Sequence, residues 1–98
     1  MANEFKRSKL QMCFNVLEVI GRGISKPTRI MYSANLSWNT LLEVFILLTS
    51  QDLIKEIKIG DSKRYTLTEK GREALIHYKK ALASFEDENN SRTRLFQG

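Results

Sequence analysis

The sequence holds one cysteine, one proline and one histidine in 98 residues. Cys13 has no partner for an intramolecular disulfide, so no disulfide framework is expected and a reducing compartment suits the chain. One Pro and five Gly exclude collagen-like and low-complexity disordered chains. His77 has no Cys, Asp or second His at ligand spacing, so no zinc site is expected. Ser8, Ser25 and Ser33 lack a His–Asp constellation. Gly21-Arg22-Gly23 follows a helical pattern rather than a strand and lacks the other glycines of a phosphate loop. No catalytic set and no cofactor site emerge, and the chain is not read as an enzyme. The longest unbroken apolar run is Val44–Leu48, far short of the ~20 residues of a membrane span. Residues 1–9 are polar and charged, without a leader-like apolar stretch. These absences lead us to expect a soluble, cytoplasmic protein. Its length suits a single core and leaves no room for a doubly wound domain with a second lobe or for a β/α barrel.

What is present is a run of short elements. Leu10, Cys13, Val16 or Leu17, and Ile20 recur at helical spacing, and Gly21 and Gly23 close a helix expected over Phe5–Arg22. Pro27 suits the first turn of a second helix, Thr28–Ser33, which ends at Ala34-Asn35, where Asn tolerates a left-handed backbone. Ser37 is an N-cap for a third helix, Trp38–Gln51, with Leu41, Phe45, Leu48 and Thr49 on its core face. Leu53–Ile59 reads as a strand, Gly60–Lys63 as a turn and Arg64–Leu67 as the returning strand. Thr68 caps a last helix to about Glu88, with Gly71, Leu75, Tyr78, Leu82 and Phe85 at heptad spacing. Residues 89–98 have no period and are expected to form a flexible tail after a domain spanning 5–88.

Helix, helix, helix, hairpin, helix is an α+β order, that of a winged helix-turn-helix: the second helix crosses the backbone of a duplex, the third is the recognition helix and the hairpin is the wing. The segments TRIMYSANLSW at 28–38, LI at 53–54 and YTLTEKGREAL at 65–75 resemble the archaeal winged helix-turn-helix family of small, basic DNA-binding proteins. The resemblance covers about residues 8–85, and TRIMYxANLS is its more specific part. It implies binding of double-stranded DNA, as a transcriptional regulator or a chromatin-associated, nucleoid protein, and dimers formed through the C-terminal helix. The chain departs from the family pattern in two places. Asp52 stands where Gly usually precedes the strand, and Leu42, Val44, Ile46 and Leu47 occupy a recognition helix whose only charge is Glu43.

The net charge of +5 is unevenly placed. Residues 1–35 carry Lys6, Arg7, Lys9, Arg22, Lys26 and Arg29 against Glu4 and Glu18, leaving +4. Residues 60–80 carry +3, whereas 36–59 and 81–98 each carry −1. The alternative to a polyanion site is a solvated basic surface. Lys26, Arg29, Lys63 and Arg64 are the candidate phosphate contacts, the last two at the wing's tip. Trp38, Asn39 and Thr40 start the recognition helix. Asn39 can pair bidentately with adenine, while Trp38 has packing at the helix start as its alternative. Tyr32 and Tyr65 are expected to pack their rings with the hydroxyl at the rim, and Cys13 to lie in the core. The seam Leu75, Tyr78, Leu82 and Phe85 covers the chain's own core with its first half and a second copy with the rest, giving a homodimer. A second function class remains open: an apolar recognition helix could bind a protein through Leu42 and Ile46, one turn apart.

Overall fold

The computed structural model describes the backbone of residues 7–97 and the side chains of residues 7–86. Its order is α1 Lys9–Gly21, α2 Pro27–Ala34, α3 Trp38–Ser50, β1 Ile54–Ile59, β2 Ser62–Leu67 and α4 Glu69–Gln97. Among the described residues no helix is long and apolar enough to cross a membrane.

Most boundaries follow from caps. The Ser8 hydroxyl accepts from the Gln11 N–H, so α1 begins at Lys9. The expected start at Phe5 lies outside the described residues. Ser37 caps α3 by accepting from the Thr40 N–H. The Thr68 hydroxyl accepts from the Gly71 N–H at 2.9 Å and donates to the Asp52 carbonyl at 2.6 Å, tying the start of α4 to the end of α3. Each such cap contributes about 1 kcal/mol.

Helices α2 and α3 end alike. The Asn35 N–H reaches the Tyr32 carbonyl and the Leu36 N–H the Met31 carbonyl. In the same way Asp52 reaches Thr49 and Leu53 reaches Leu48. This is the paired closure of a Schellman motif, which needs a left-handed residue just past the helix. Asn35 at φ 56° and Asp52 at φ 60° supply it without glycine. Asn and Asp adopt this backbone more readily than other side chains, which explains how Asp52 occupies a position where Gly is usual.

Val16, Leu17, Val19 and Ile20 of α1, Ile30 and Ala34 of α2, and Leu41, Val44, Phe45 and Leu48 of α3 make most of the core, joined by Ile54, Leu67 and Leu75. Val44 is fully buried and Thr49 exposed, reversing the expected core face of α3 at those two positions. Positions 41, 44, 45 and 48 lie at the i, i+3, i+4, i+7 spacing of one helical face, which position 49 leaves. Leu10 is exposed, and Cys13 half-buried rather than in the core. Burial raises the pKa of the Cys13 thiol, opposed by the positive charge of Lys9. The Phe14 and Tyr78 rings stack at 4.1 Å and 5°, fixing α4 against α1.

The hairpin is tighter than expected. Its register pairs Ile59 with Ser62 and Ile54 with Leu67, so the turn is Gly60-Asp61 rather than Gly60–Lys63. Gly60 takes φ 62°, the conformation that glycine supplies at the first position of a type II′ hairpin turn. Strand β1 starts at Ile54, not Leu53: the Leu53 carbonyl accepts from the Thr68 N–H at 3.1 Å, but the Leu53 N–H is turned back to the Leu48 carbonyl at 2.9 Å, closing α3 instead of completing a rung with Thr68.

Helix α4 does not stop near Glu88. It runs on to Gln97, through most of the segment 89–98 for which a flexible tail is expected. No Pro or Gly interrupts residues 72–97, and the polar residues there lower helix propensity by only a few tenths of a kcal/mol each.

Candidate nucleic-acid interface

Pro27 sets the backbone of the first turn of α2, and Ser37 fixes where α3 begins. The two helices therefore present their N-terminal ends close together. Lys26, Pro27 and Thr28 from α2, Trp38 from α3, and Ser62, Lys63 and Arg64 from the wing line one open hollow of about 300 Å³. Exposed N–H groups and aligned peptide dipoles make helix N-termini favourable to anions. Here two of them share a hollow with three cationic side chains. Trp38 is 43% exposed, so its ring is neither fully packed nor free of the body.

The remaining candidates are placed differently. Arg29 and Asn39 are exposed but do not line the hollow. Thr40 is half-buried, its hydroxyl hydrogen-bonded to that of Ser37 at 2.9 Å, which engages it in the helix cap. Arg64 is not at the wing's tip. It sits on the third rung from the turn, opposite Ile57, half-buried, with one guanidinium N–H directed at the Ser25 hydroxyl at 3.4 Å. Successive strand residues face opposite ways, so Lys63 and Arg64 lie on opposite faces of the hairpin.

Lys63 shares its face with Lys58, directly across the hairpin. Like charges opposed across a sheet destabilise it; an anion between them would reverse that cost. Lys58 was not singled out from the sequence. Only the register, set by a two-residue turn, brings it beside Lys63. Glu56 lies on the same face, 3.9 Å from the Lys63 ammonium, and accepts from the Tyr65 hydroxyl at 3.2 Å. Burial, together with that hydrogen bond and the charge of Glu56, raises the phenol pKa of Tyr65 and keeps it a donor. Its ring stacks on Phe45 at 4.1 Å, as expected. Tyr32 instead is 78% exposed, because it lies off the α2 face that buries Ile30 and Ala34.

The basic N-terminal segment is also sorted by structure. Arg7 donates to the carbonyls of Ala34 at 2.8 Å and Asn35 at 2.6 Å, closing the end of α2. Lys9 pairs with Glu43 at 2.7 Å and Arg22 with Glu18 at 3.5 Å. Lys26 and Arg29 make no ion pair among the described residues. Of the described cations of this segment, Lys26 lines the hollow.

The C-terminal seam divides as its length demands. Leu75 is buried in the chain's own core and Tyr78 is half-buried against Phe14, whereas Leu82 and Phe85 are 45% and 67% exposed.

A family model described as winged helix-turn-helix matches residues 6–85. An uncharacterized protein of Methanocaldococcus jannaschii is 37% identical over 68 residues, covering 69% of this chain and 66% of the relative. This chain thus spans slightly less than two thirds of that relative's length. Among solved structures, Sso10a-2, described as a DNA-binding protein from Sulfolobus solfataricus, is similar with a TM-score of 0.74 at 18% identity, over 93% of this chain and 95% of that one. The Sulfolobus solfataricus transcriptional regulator BldR gives 0.71 at 15% identity, over 79% and 58%. At these identities the likeness is one of fold.

Proposed function

This chain belongs to the winged helix-turn-helix family, and from that premise we propose that it binds double-stranded DNA, as a transcriptional regulator or a chromatin-associated protein of the cytoplasmic nucleoid. The observation that carries this reading is the hollow where Lys26, Lys63 and Arg64 meet the N-terminal ends of α2 and α3. Phosphates seated there leave the start of α3 to enter the major groove, with Asn39 leading, and Lys58 and Lys63 to follow the backbone along the wing. Arg29 adds charge beside the hollow, and Thr40 acts through the cap rather than on DNA. The names of the two Sulfolobus solfataricus proteins, one DNA-binding and one a transcriptional regulator, support the same reading.

Phosphate gripping is sensitive to salt, because each neutralised phosphate releases a counterion. Affinity for a duplex, followed by mobility shift across a salt series, should fall with a log–log slope of about −4 for each chain engaged, as for roughly four to five phosphate contacts per chain, and so about −8 when both chains of a dimer bind. No shift at the lowest salt would sink the reading.

The chain acts as a homodimer in this proposal. Leu82 and Phe85 lie exposed one turn apart along a helix about 43 Å long at 1.5 Å per residue,, and a second α4 covers them. Leu75 and Tyr78 position that helix on its own domain. Sedimentation should give a dimer for the native chain and a monomer for Leu82→Glu/Phe85→Glu, with helicity unchanged; a native monomer at the highest soluble concentration would refute it.

One observation favours a second reading, a protein-docking module. Leu42 and Ile46 are 40% and 70% exposed and line, with Phe45, Thr49, Ser50, Glu56 and Tyr65, a groove of about 510 Å³ between α3 and the hairpin. The two readings part on whether duplex affinity depends on those two side chains.

A further inference from the structure

Asn39, Leu42, Glu43 and Ile46 share one side of α3, since residues three and four apart stack along a helix. All four are exposed, and they lie away from the buried row Leu41, Val44, Phe45 and Leu48. A helix that distinguishes bases in the major groove ordinarily does so with donors and acceptors. This side has two polar members, and the Glu43 carboxylate is held by Lys9 at 2.7 Å. Leu42 and Ile46 can neither donate nor accept. Pressed on a base edge, they would leave its polar groups unpaired, which costs free energy. The one apolar feature of the major-groove edge is the 5-methyl group of thymine.

We infer that Leu42 and Ile46 recognise thymine methyl groups, so that the protein prefers A·T-rich duplex through the major groove, an inference that rests on the DNA-binding reading above. Asn39, one turn before Leu42 and Glu43, adds the side-chain type that pairs with adenine. The pair continues a basic surface: Trp38, one turn before Leu42, lines the hollow with Lys26, Lys63 and Arg64. Both carboxylates flanking the apolar pair are already partnered, Glu43 by Lys9 and Glu56 by Tyr65 and Lys63. Neither presents an uncompensated charge to the phosphates.

The test compares an alternating A-T duplex with the same duplex carrying deoxyuridine at every thymine, using the full chain and fluorescence anisotropy. Only the major-groove methyl differs. Each lost methyl contact weakens binding roughly three- to fourfold, so the two contacts of a chain weaken it at least about tenfold, and more when both chains of a dimer engage. Reciprocally, a G·C-rich duplex should bind more tightly when its cytosines are 5-methylated, because that methyl occupies the same edge. In Leu42→Ala/Ile46→Ala, checked for native circular dichroism, the thymine-to-uracil ratio should fall to one. Equal affinity of the native chain for both A·T duplexes overturns the inference while leaving DNA binding intact, and directs the patch to a protein partner. A ratio that persists in the double variant also overturns it, by placing methyl recognition elsewhere. No binding to any duplex at low salt overturns the DNA-binding reading with it.

Discussion

Replacing Gly71 by Ala should destabilise the fold by about 3 kcal/mol or more, the range of severe overpacking, and lower the melting temperature by roughly 12–24 °C for a domain of this size. A Cβ at position 71 would overlap the Leu53 carbonyl oxygen and stand 2.9 Å from its carbonyl carbon. The carbonyl cannot swing aside. It accepts from the Thr68 N–H at 3.1 Å, the Leu53 N–H is bound to the Leu48 carbonyl at 2.9 Å, and the next residue, Ile54, is buried at 1% exposure. Relief requires moving the start of α4 away from the end of α3, which breaks the Thr68 hydroxyl's bond to Asp52. Thermal and denaturant unfolding of Gly71→Ala measures the effect, and a change below about 4 °C, equivalent to 1 kcal/mol or less, would show slack at this junction. In the sequence Gly71 looks like one position of an apolar seam. Its actual role, letting one backbone touch another, depends on a contact eighteen residues away.

Reversing Lys26 and Lys63 to Glu together should weaken duplex binding at least about 100-fold near 0.1 M salt and reduce the log–log salt slope by about two for each chain engaged, one for each phosphate contact removed. Stability should change little. Lys26 has no ion pair among the described residues, and the Lys63–Glu56 pair is exposed and 3.9 Å long, the kind that contributes from nothing to about 1 kcal/mol. Mobility shift beside a melting curve separates the two quantities. An unchanged slope would mean that the hollow does not hold phosphates. These two lysines are preferred over Arg64, which is half-buried with its guanidinium directed at Ser25, so that reversing it would disturb the packing of the hairpin's middle as well as any contact with DNA.

Much of the architecture was legible before the structure. Ser37 and Thr68 announced two helix starts and Asn35 a helix end, and all three act as read. The signals are local: a cap bonds to a group two or three residues away, and a left-handed residue closes the helix immediately before it. The same locality explains the misses. The hairpin was expected with a four-residue turn, and nothing within residues 60–63 opposes that; pairing along six rungs selects two. Val44 stands outside the expected core set of α3 because a helix apolar nearly all round hides its core face in the sequence.

The sequence by itself determined the order of elements, the end of α2 at Asn35, the capped starts of α3 and α4, the hairpin and the unequal distribution of basic residues, since these depend on chemistry within a few positions. Only the tertiary structure decided which charges remain for a partner. Arg7 closes the end of α2, and Lys9 and Arg22 are engaged by Glu43 and Glu18, while Lys26 opens onto the same hollow as Lys63. It also set Lys58 opposite Lys63 and turned Arg64 to the other face. A charge is fixed by residue type, but its partner is whatever folding brings within about 4 Å, and that is settled by contacts between residues far apart in the chain.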